Sequence, residues 1–259
     1  MARPTLIALN VGNTRTQLGR FEDDKLAQSE RLANDDLPAI VERVVGWWDC
    51  RDEAHPALVV VASVNDTVGE QLKSMIADQL STNVYIVGKD LPIPIGESLD
   101  PETITGVDRL LNAAAAYATL EQACVVVDAG TAITVDFVDG EGTFHGGAIA
   151  PGASMQLAAL HQHTSALPAL EFTKPDSEAF GKSTAQAMLH GVYDGIRGLV
   201  WRLVEKYAER YGAYPMVVVT GGDANVLFED DELVNRLVPD LTLLGIAAAA
   251  RHALASEPE

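Results

Sequence analysis

The sequence predicts an α/β protein built from two copies of one motif, with a cleft between the halves. Three stretches carry the prediction. In Cys124–Phe144, CVVVDAGTAITVDFVDGEGTF, the four apolar positions Cys124 to Val127 are too few for a helix. They are rich in β-branched residues, so they read as a buried strand. Thr5–Phe21, TLIALNVGNTRTQLGRF, repeats the order: apolar strand, bend with glycine and threonine, second strand, acidic turn. Ala57–Val64, ALVVVASV, is apolar on both faces, as a central parallel strand is.

In chain order, Asn10-Val11-Gly12-Asn13-Thr14 bends the first strand into Arg15-Thr16-Gln17 and on to Phe21, and Glu22-Asp23-Asp24 turns the chain back. A glycine in such a bend lets backbone N–H groups approach a phosphate, while hydroxyl and carboxylate oxygens can hold a cation. One bend of this kind is most often an ordinary β-turn. Its second copy, Asp128-Ala129-Gly130-Thr131, changes the balance. Asp23–Cys50 opens as a polar stretch, and Leu37, Ile40, Val41, Val44, Val45 and Trp48 then fall at helical spacing. Trp47 and Trp48 read as packing residues. Asp66–Gln79 predicts a helix, Val84–Val87 a strand, and Leu91-Pro92-Ile93-Pro94 a loop running to Asp100-Pro101.

Gly106-Val107-Asp108-Arg109 leads into a helix with Val107, Leu110, Leu111, Ala114, Ala115 and Ala118 as its apolar stripe. A carboxylate at a helix start is favoured as the ion. Asp108 can therefore accept a proton from a substrate hydroxyl, and Arg109 can grip a substrate carboxylate with its planar fork. The residues alone favour a plainer reading, a helix N-terminal charge beside a solvated arginine.

Beyond the central hairpin, Gly146–Gly152 (GGAIAPG) predicts a glycine-and-proline bend, and Met155–His163 a helix. A second, long helix is predicted from Phe180 to about Tyr211, with Met188, Val192, Ile196, Leu199 and Leu203 on one face. Gly191, Gly195 and Gly198 suggest close approach of another helix, as across a dimer interface. Met216–Thr220 reads as a strand, with Gly221-Gly222-Asp223-Ala224 at its C-terminal end, where α/β proteins bind ligands. Leu243–Ala255 closes the chain as a helix. The two halves are expected at 1–120 and 121–259.

Several classes are excluded. Gly181-Lys182-Ser183 ends like a P-loop, but Asp176 stands where that motif needs its first glycine, and no strand is followed by G-x-G-x-x-G. His161 and His163 do not share a helix face, and no cysteine or glutamate lies at zinc-ligand spacing near them. A formal charge of −19 in 259 residues opposes binding to nucleic acid. No long apolar run suggests a membrane span. Two cysteines, one at the start of a core strand, suggest a reduced, cytoplasmic setting.

Taken together, NVGNTRTQLG (Asn10–Gly19), GVDR (Gly106–Arg109), DAGTAIT (Asp128–Thr134), GGAIAPG (Gly146–Gly152), GKSTAQAMLHG (Gly181–Gly191) and TGGDA (Thr220–Ala224) resemble the type III pantothenate kinases, the family that includes the Bvg-accessory-factor-like proteins. The likeness runs from about Leu6 to Ala249. It implies two duplicated ribonuclease-H-like α/β domains of the actin-like ATPase (acetate and sugar kinase, actin) fold. The implied reaction is ATP-dependent phosphorylation of pantothenate to 4′-phosphopantothenate, the first step of coenzyme A biosynthesis. It further implies Asp108 as general base and Gly106, Val107, Arg109 and Thr184 as substrate contacts, Thr184 from a neighbouring subunit of a homodimer. Asn10, Val11, Gly12, Asn13, Thr14, Arg15, Thr16, Gln17 and Thr131 would line the ATP phosphates. Asp128 would hold a monovalent cation, K⁺ or NH₄⁺, with Mg²⁺ accompanying ATP.

Two positions depart from the family pattern. Asn10 stands where the family has aspartate, and Gly96–Thr105 lacks the family's tyrosine, with Ser98 or Leu99 nearest the place. These departures also admit a nucleotide-binding regulator without catalysis, or another small-molecule kinase on the same fold.

Overall fold

A computed structural model describes residues 5–51 and 56–256. The elements in order are β1 (Thr5–Val11), β2 (Arg15–Glu22), β3 (Lys25–Ala33), α1 (Leu37–Asp49), β4 (Ala57–Ser63), α2 (Asp66–Leu80), β5 (Val84–Ile86), β6 (Gly96–Glu97) and α3 (Val107–Leu120). They continue with β7 (Cys124–Ala129), β8 (Ala132–Val138), β9 (Thr143–Pro151), α4 (Ala153–Gln162), α5 (Thr184–Tyr211), β10 (Met216–Thr220), α6 (Ala224–Phe228), β11 (Arg236–Leu237) and α7 (Leu241–Ser256).

Two compact units result. Met1–Ile95, Glu102–Ala115 and Asp240–Glu259 form one; Gly96–Pro101 and Ala116–Pro239 form the other. The duplication read from the two bends is visible in strand order. The first unit's sheet runs β3-β2-β1-β4-β5, and the second's runs β11-β10-β7-β8-β9-β6. Reversed, the second reads β9-β8-β7-β10-β11, the same plan with β6 added at one edge. In each, three strands pair antiparallel as a meander and the parallel strands extend the sheet on the other side of the first.

In the first unit, alternation along β1 divides its side chains between two layers. Ile7, Leu9 and Val11 face one cluster with Ile40 and Val44 of α1 and Leu72 and Ile76 of α2. Leu6 and Ala8 face the other, with Leu111 of α3 and Leu243, Ile246 and Ala250 of α7. A chain cut at residue 120 would assign α7 to the second half; its apolar face instead packs in the first unit, because the β1–β4 surface needs a cover. In the second unit, Val125 and Val127 of β7 and Val217 and Val219 of β10 pack against the buried face of α5, from Met188 through Val204.

Some elements differ from expectation. β3 was legible only as polar chain: it is an exposed edge strand carrying Lys25, Gln28, Ser29, Glu30 and Arg31, joined to β2 through Asp23 and Asp24 at φ 47° and 65°. Such charged edges discourage pairing with another chain and erase the apolar alternation that marks a strand. Gly146–Gly152 is strand β9 for most of its length, not a bend. A Cβ on Gly147 would collide with the Val135 carbonyl oxygen, so its glycine permits close strand approach. α5 begins at Thr184 with Ser183 as its cap, the Gln186 N–H donating to Ser183 Oγ at 3.2 Å. Phe180–Ser183 therefore precedes the helix. The open space beside Gly191, Gly195 and Gly198 shows that no helix of the described residues approaches them. Ala118 is exposed, while every position from Leu110 to Ala116 is buried.

Candidate active site

The first bend is a three-residue turn, Gly12-Asn13-Thr14, closed by Gly12 N–H donating to the Arg15 carbonyl at 3.0 Å. Asn13, Thr14 and Arg15 are exposed, which leaves their side chains accessible to a ligand. Val11 and Thr16 are buried and support the turn from below. A residue missed in the sequence, Asn34, holds it: its backbone N–H donates to Thr14 O at 3.0 Å, its Nδ2 to Gly12 O at 2.8 Å, and its Oδ1 accepts from Thr16 Oγ1 at 2.7 Å. Nothing in the linear neighbourhood signals this, since Asn34 follows an edge strand and precedes Asp35-Asp36. Asn34→Ala is expected to cost about 1–3 kcal/mol by stranding these groups, read as a lowered urea midpoint, with nucleotide affinity falling alongside.

Asn10, the last residue but one of β1, lies opposite Gln17 of β2. It is half-buried, and among the described residues its side chain makes no hydrogen bond. Gln17 is buried, and its Nε2 donates to Asp240 Oδ1 at 2.6 Å.

Asp108 and Arg109 occupy the first turn of α3, both half-buried. Asp108 Oδ1 accepts from the Arg109 backbone N–H at 2.8 Å, and a Cβ on Gly106 would sit 2.7 Å from the same oxygen. Gly106 therefore leaves room for that carboxylate. Asn112, one turn on, is buried and accepts from Thr242 Oγ1 at 2.7 Å.

The second bend is tighter: Gly130-Thr131 joins β7 to β8. Asp128 pairs in register with Thr134 and Thr220, and Thr131 is exposed. Two glycine backbones press on the bend. Gly152 N–H donates to Thr131 O at 3.0 Å, and Gly221, at φ +103°, lies where a Cβ would strike Ala129 O. Asp223 N–H donates to Ala129 O at 2.9 Å, and burial pushes its carboxyl above the usual carboxylate range. The predicted ligand-end motif of β10 thus buttresses the second bend. Thr184 is exposed at the first residue of α5. Cys124 is removed from chemistry: burial holds its thiol protonated, with a pKa pushed up to about 12.

Oxygen-rich bends with exposed threonines, Thr14 and Thr131, suit phosphates and hard cations. Among the described residues no group of three or more His, Cys, Asp or Glu side chains forms a ready metal cluster. No helix among them is long and apolar enough to cross a membrane.

Comparison with known proteins agrees with this architecture. A family model for type III pantothenate kinase matches residues 6–206. A type III pantothenate kinase of Dehalococcoides mccartyi is 32% identical over 251 residues, covering 93% of this chain and 95% of the relative. Among solved structures, a conserved putative Baf family transcriptional activator from Campylobacter jejuni superposes with a TM-score of 0.63 at 22% identity, covering 96% of this chain and 99% of that one. The activator of 2-hydroxyisocaproyl-CoA dehydratase from Clostridium difficile, with bound ADPNP, gives a TM-score of 0.57 at 12% identity, covering 98% of each chain. These structural likenesses establish the actin-like ATPase fold.

Proposed function

The chain belongs to the type III pantothenate kinase family, and from that premise we propose how its residues share the work of phosphoryl transfer. The protein is a kinase that phosphorylates pantothenate with ATP in coenzyme A biosynthesis. Asp108 takes the proton of the pantothenate hydroxymethyl group as its oxygen attacks the γ-phosphorus in line. Arg109, with Gly106 and Val107, holds the substrate carboxylate end. The segment Asn10–Gln17, through its exposed residues Asn13, Thr14 and Arg15, lines the ATP phosphates together with Thr131, since positioning and charge stabilisation do most of the catalysis in such transfers. The observation that most supports these roles is Asp108 at the first turn of α3, half-open to solvent, with a glycine making room for its carboxylate.

Cations would supply the positive charge that a chain of net charge −19 lacks. Asp128 suits K⁺ or NH₄⁺, and the residues opposite it in register, Thr134 and Thr220, carry hydroxyls. The amide of Asn10 suits Mg²⁺ only weakly, because that hard ion prefers carboxylates and keeps several waters. Asn10→Asp is accordingly expected to raise turnover at low Mg²⁺; an unchanged Mg²⁺ titration would refute this. A homodimer would bring Thr184 to a neighbouring subunit's substrate, in keeping with exposed Phe180 and with the open glycine face of α5.

The deciding experiment is a coupled assay with pantothenate, ATP and a K⁺ titration. Turnover that rises with K⁺, and a loss of that response in Asp128→Ala, is expected. ATP binding without phosphorylation of pantothenate would favour the regulator reading, for which the amide at Asn10 is the specific observation.

A further inference from the structure

Two hydrogen bonds converge on the first turn of α7. Thr242 Oγ1 donates to Asn112 Oδ1 at 2.7 Å, with the two residues 5% and 2% exposed. Two positions earlier, Asp240 Oδ1 accepts from Gln17 Nε2 at 2.6 Å. Each bond leads toward the chemistry. Asn112 lies four residues after Asp108, so the two side chains share a face of α3. Gln17 lies opposite Asn10, and side chains of directly opposed residues share a sheet face with Cβ atoms roughly 5 Å apart.

The Thr242–Asn112 bond sits in an otherwise apolar layer with Leu111, Leu243, Ile246 and Ala247. α3 and α7 touch there backbone to backbone, since a Cβ on Gly245 would collide with Leu111 O. Replacing both partners of a buried hydrogen bond by apolar groups of the same shape is nearly neutral for stability. What such a polar pair adds is direction: it allows one rotation and one register of α3 against α7.

We propose that the first turn of α7 is the positioning element of the transfer site, with Thr242 setting Asp108 through Asn112 and Asp240 setting the first bend through Gln17. The inference rests on the reading of Asp108 as base and of Asn10–Gln17 as the nucleotide segment. It predicts opposite kinetic splits from two residues of one turn.

Thr242→Val is expected to lower kcat about tenfold, because sub-ångström misplacement of a reacting group is expensive, while affinity for a non-hydrolysable ATP analogue stays at the parent value. Thr242→Ser, which keeps the hydroxyl, should restore kcat. Asp240→Ala is expected to raise KM for ATP about fivefold and leave kcat at saturating ATP within about twofold of the parent. Parent kcat in Thr242→Val, or weakening of the same parameter by both variants, would overturn the proposal. So would failure of serine to rescue. Should the valine variant not fold, the Asp240 variant decides alone, and an unchanged KM overturns the proposal. An unsubstituted protein that binds the ATP analogue but transfers no phosphate to pantothenate would instead remove the functional reading itself and this inference with it.

Discussion

Asp108→Asn is expected to reduce kcat for pantothenate phosphorylation by about 10²–10⁴, the usual contribution of a general base. The asparagine keeps the shape of the side chain and can still accept from Arg109 N–H, a bond of 2.8 Å in the parent. What it loses is the capacity to take a proton. Affinity for an ATP analogue, measured by calorimetry, should therefore stay within about twofold, the pattern of a group acting in the transition state alone. Parallel loss of turnover and nucleotide affinity would make Asp108 a structural residue of α3. Arg109→Ala, by contrast, is expected to raise KM for pantothenate, since the role proposed for it is uniform binding of the substrate.

The largest effect on stability is expected at Asp231. Its side chain is 0% exposed and its Oδ2 accepts from Arg197 Nη2 at 2.7 Å and Nε at 2.9 Å. Trp201 Nε1 at 3.1 Å and the Leu233 backbone N–H at 3.0 Å donate to Oδ1. Arg197 in turn donates to Tyr193 Oη at 3.0 Å, so one carboxylate ties α5 to the segment after α6. Asp231→Ala strands these donors together and is expected to cost about 3 kcal/mol, the low end for a buried pair because Arg197 is partly exposed. The melting temperature should drop on the order of 10 °C, and an unchanged melt would show that the network is dispensable.

The pH dependence of the same site follows from opposing influences. Burial pushes the Asp231 carboxyl up, but donation from Leu233 N–H, Trp201 and Arg197, with the Arg197 charge, holds it below the usual carboxylate range. A depressed folded-state pKa contributes stability that is present above the unfolded value, about 3.9, and is lost as pH falls through the folded one. Stability measured from pH 6 downward should therefore decline below about pH 4, and Asp231→Asn should lack that part of the decline.

Much of this molecule was legible in its linear order. Val125–Val127 and Val59–Val61 are β-branched runs that only a buried strand accommodates, and the helix of Leu110–Ala116 follows from apolar spacing and alanine content. The two bends were legible as a pair because local chemistry repeats, and the pair led to the duplicated fold. β3 and β9 were not. An exposed edge strand needs no apolar alternation, and a glycine-rich strand resembles a loop until a neighbouring strand is seen to demand the glycines. Asp108, the proposed base, was named from its motif, whereas Asn34, Thr242 and Asp240 carry no motif of their own.

Local sequence determined the elements other than β3 and β9, the two bends and the residue types that can do the chemistry, since strand and helix signals, turn residues and hydroxyl or carboxylate side chains act within a few positions. Tertiary structure alone decided which distant residues steady them. It closes the first bend with Asn34, sets Asn112 on Thr242 across 130 positions, and returns α7 to the first unit. The physical reason is that a buried polar atom requires a partner in space, and chain order says nothing of where that partner lies until the apolar faces have chosen how to pack.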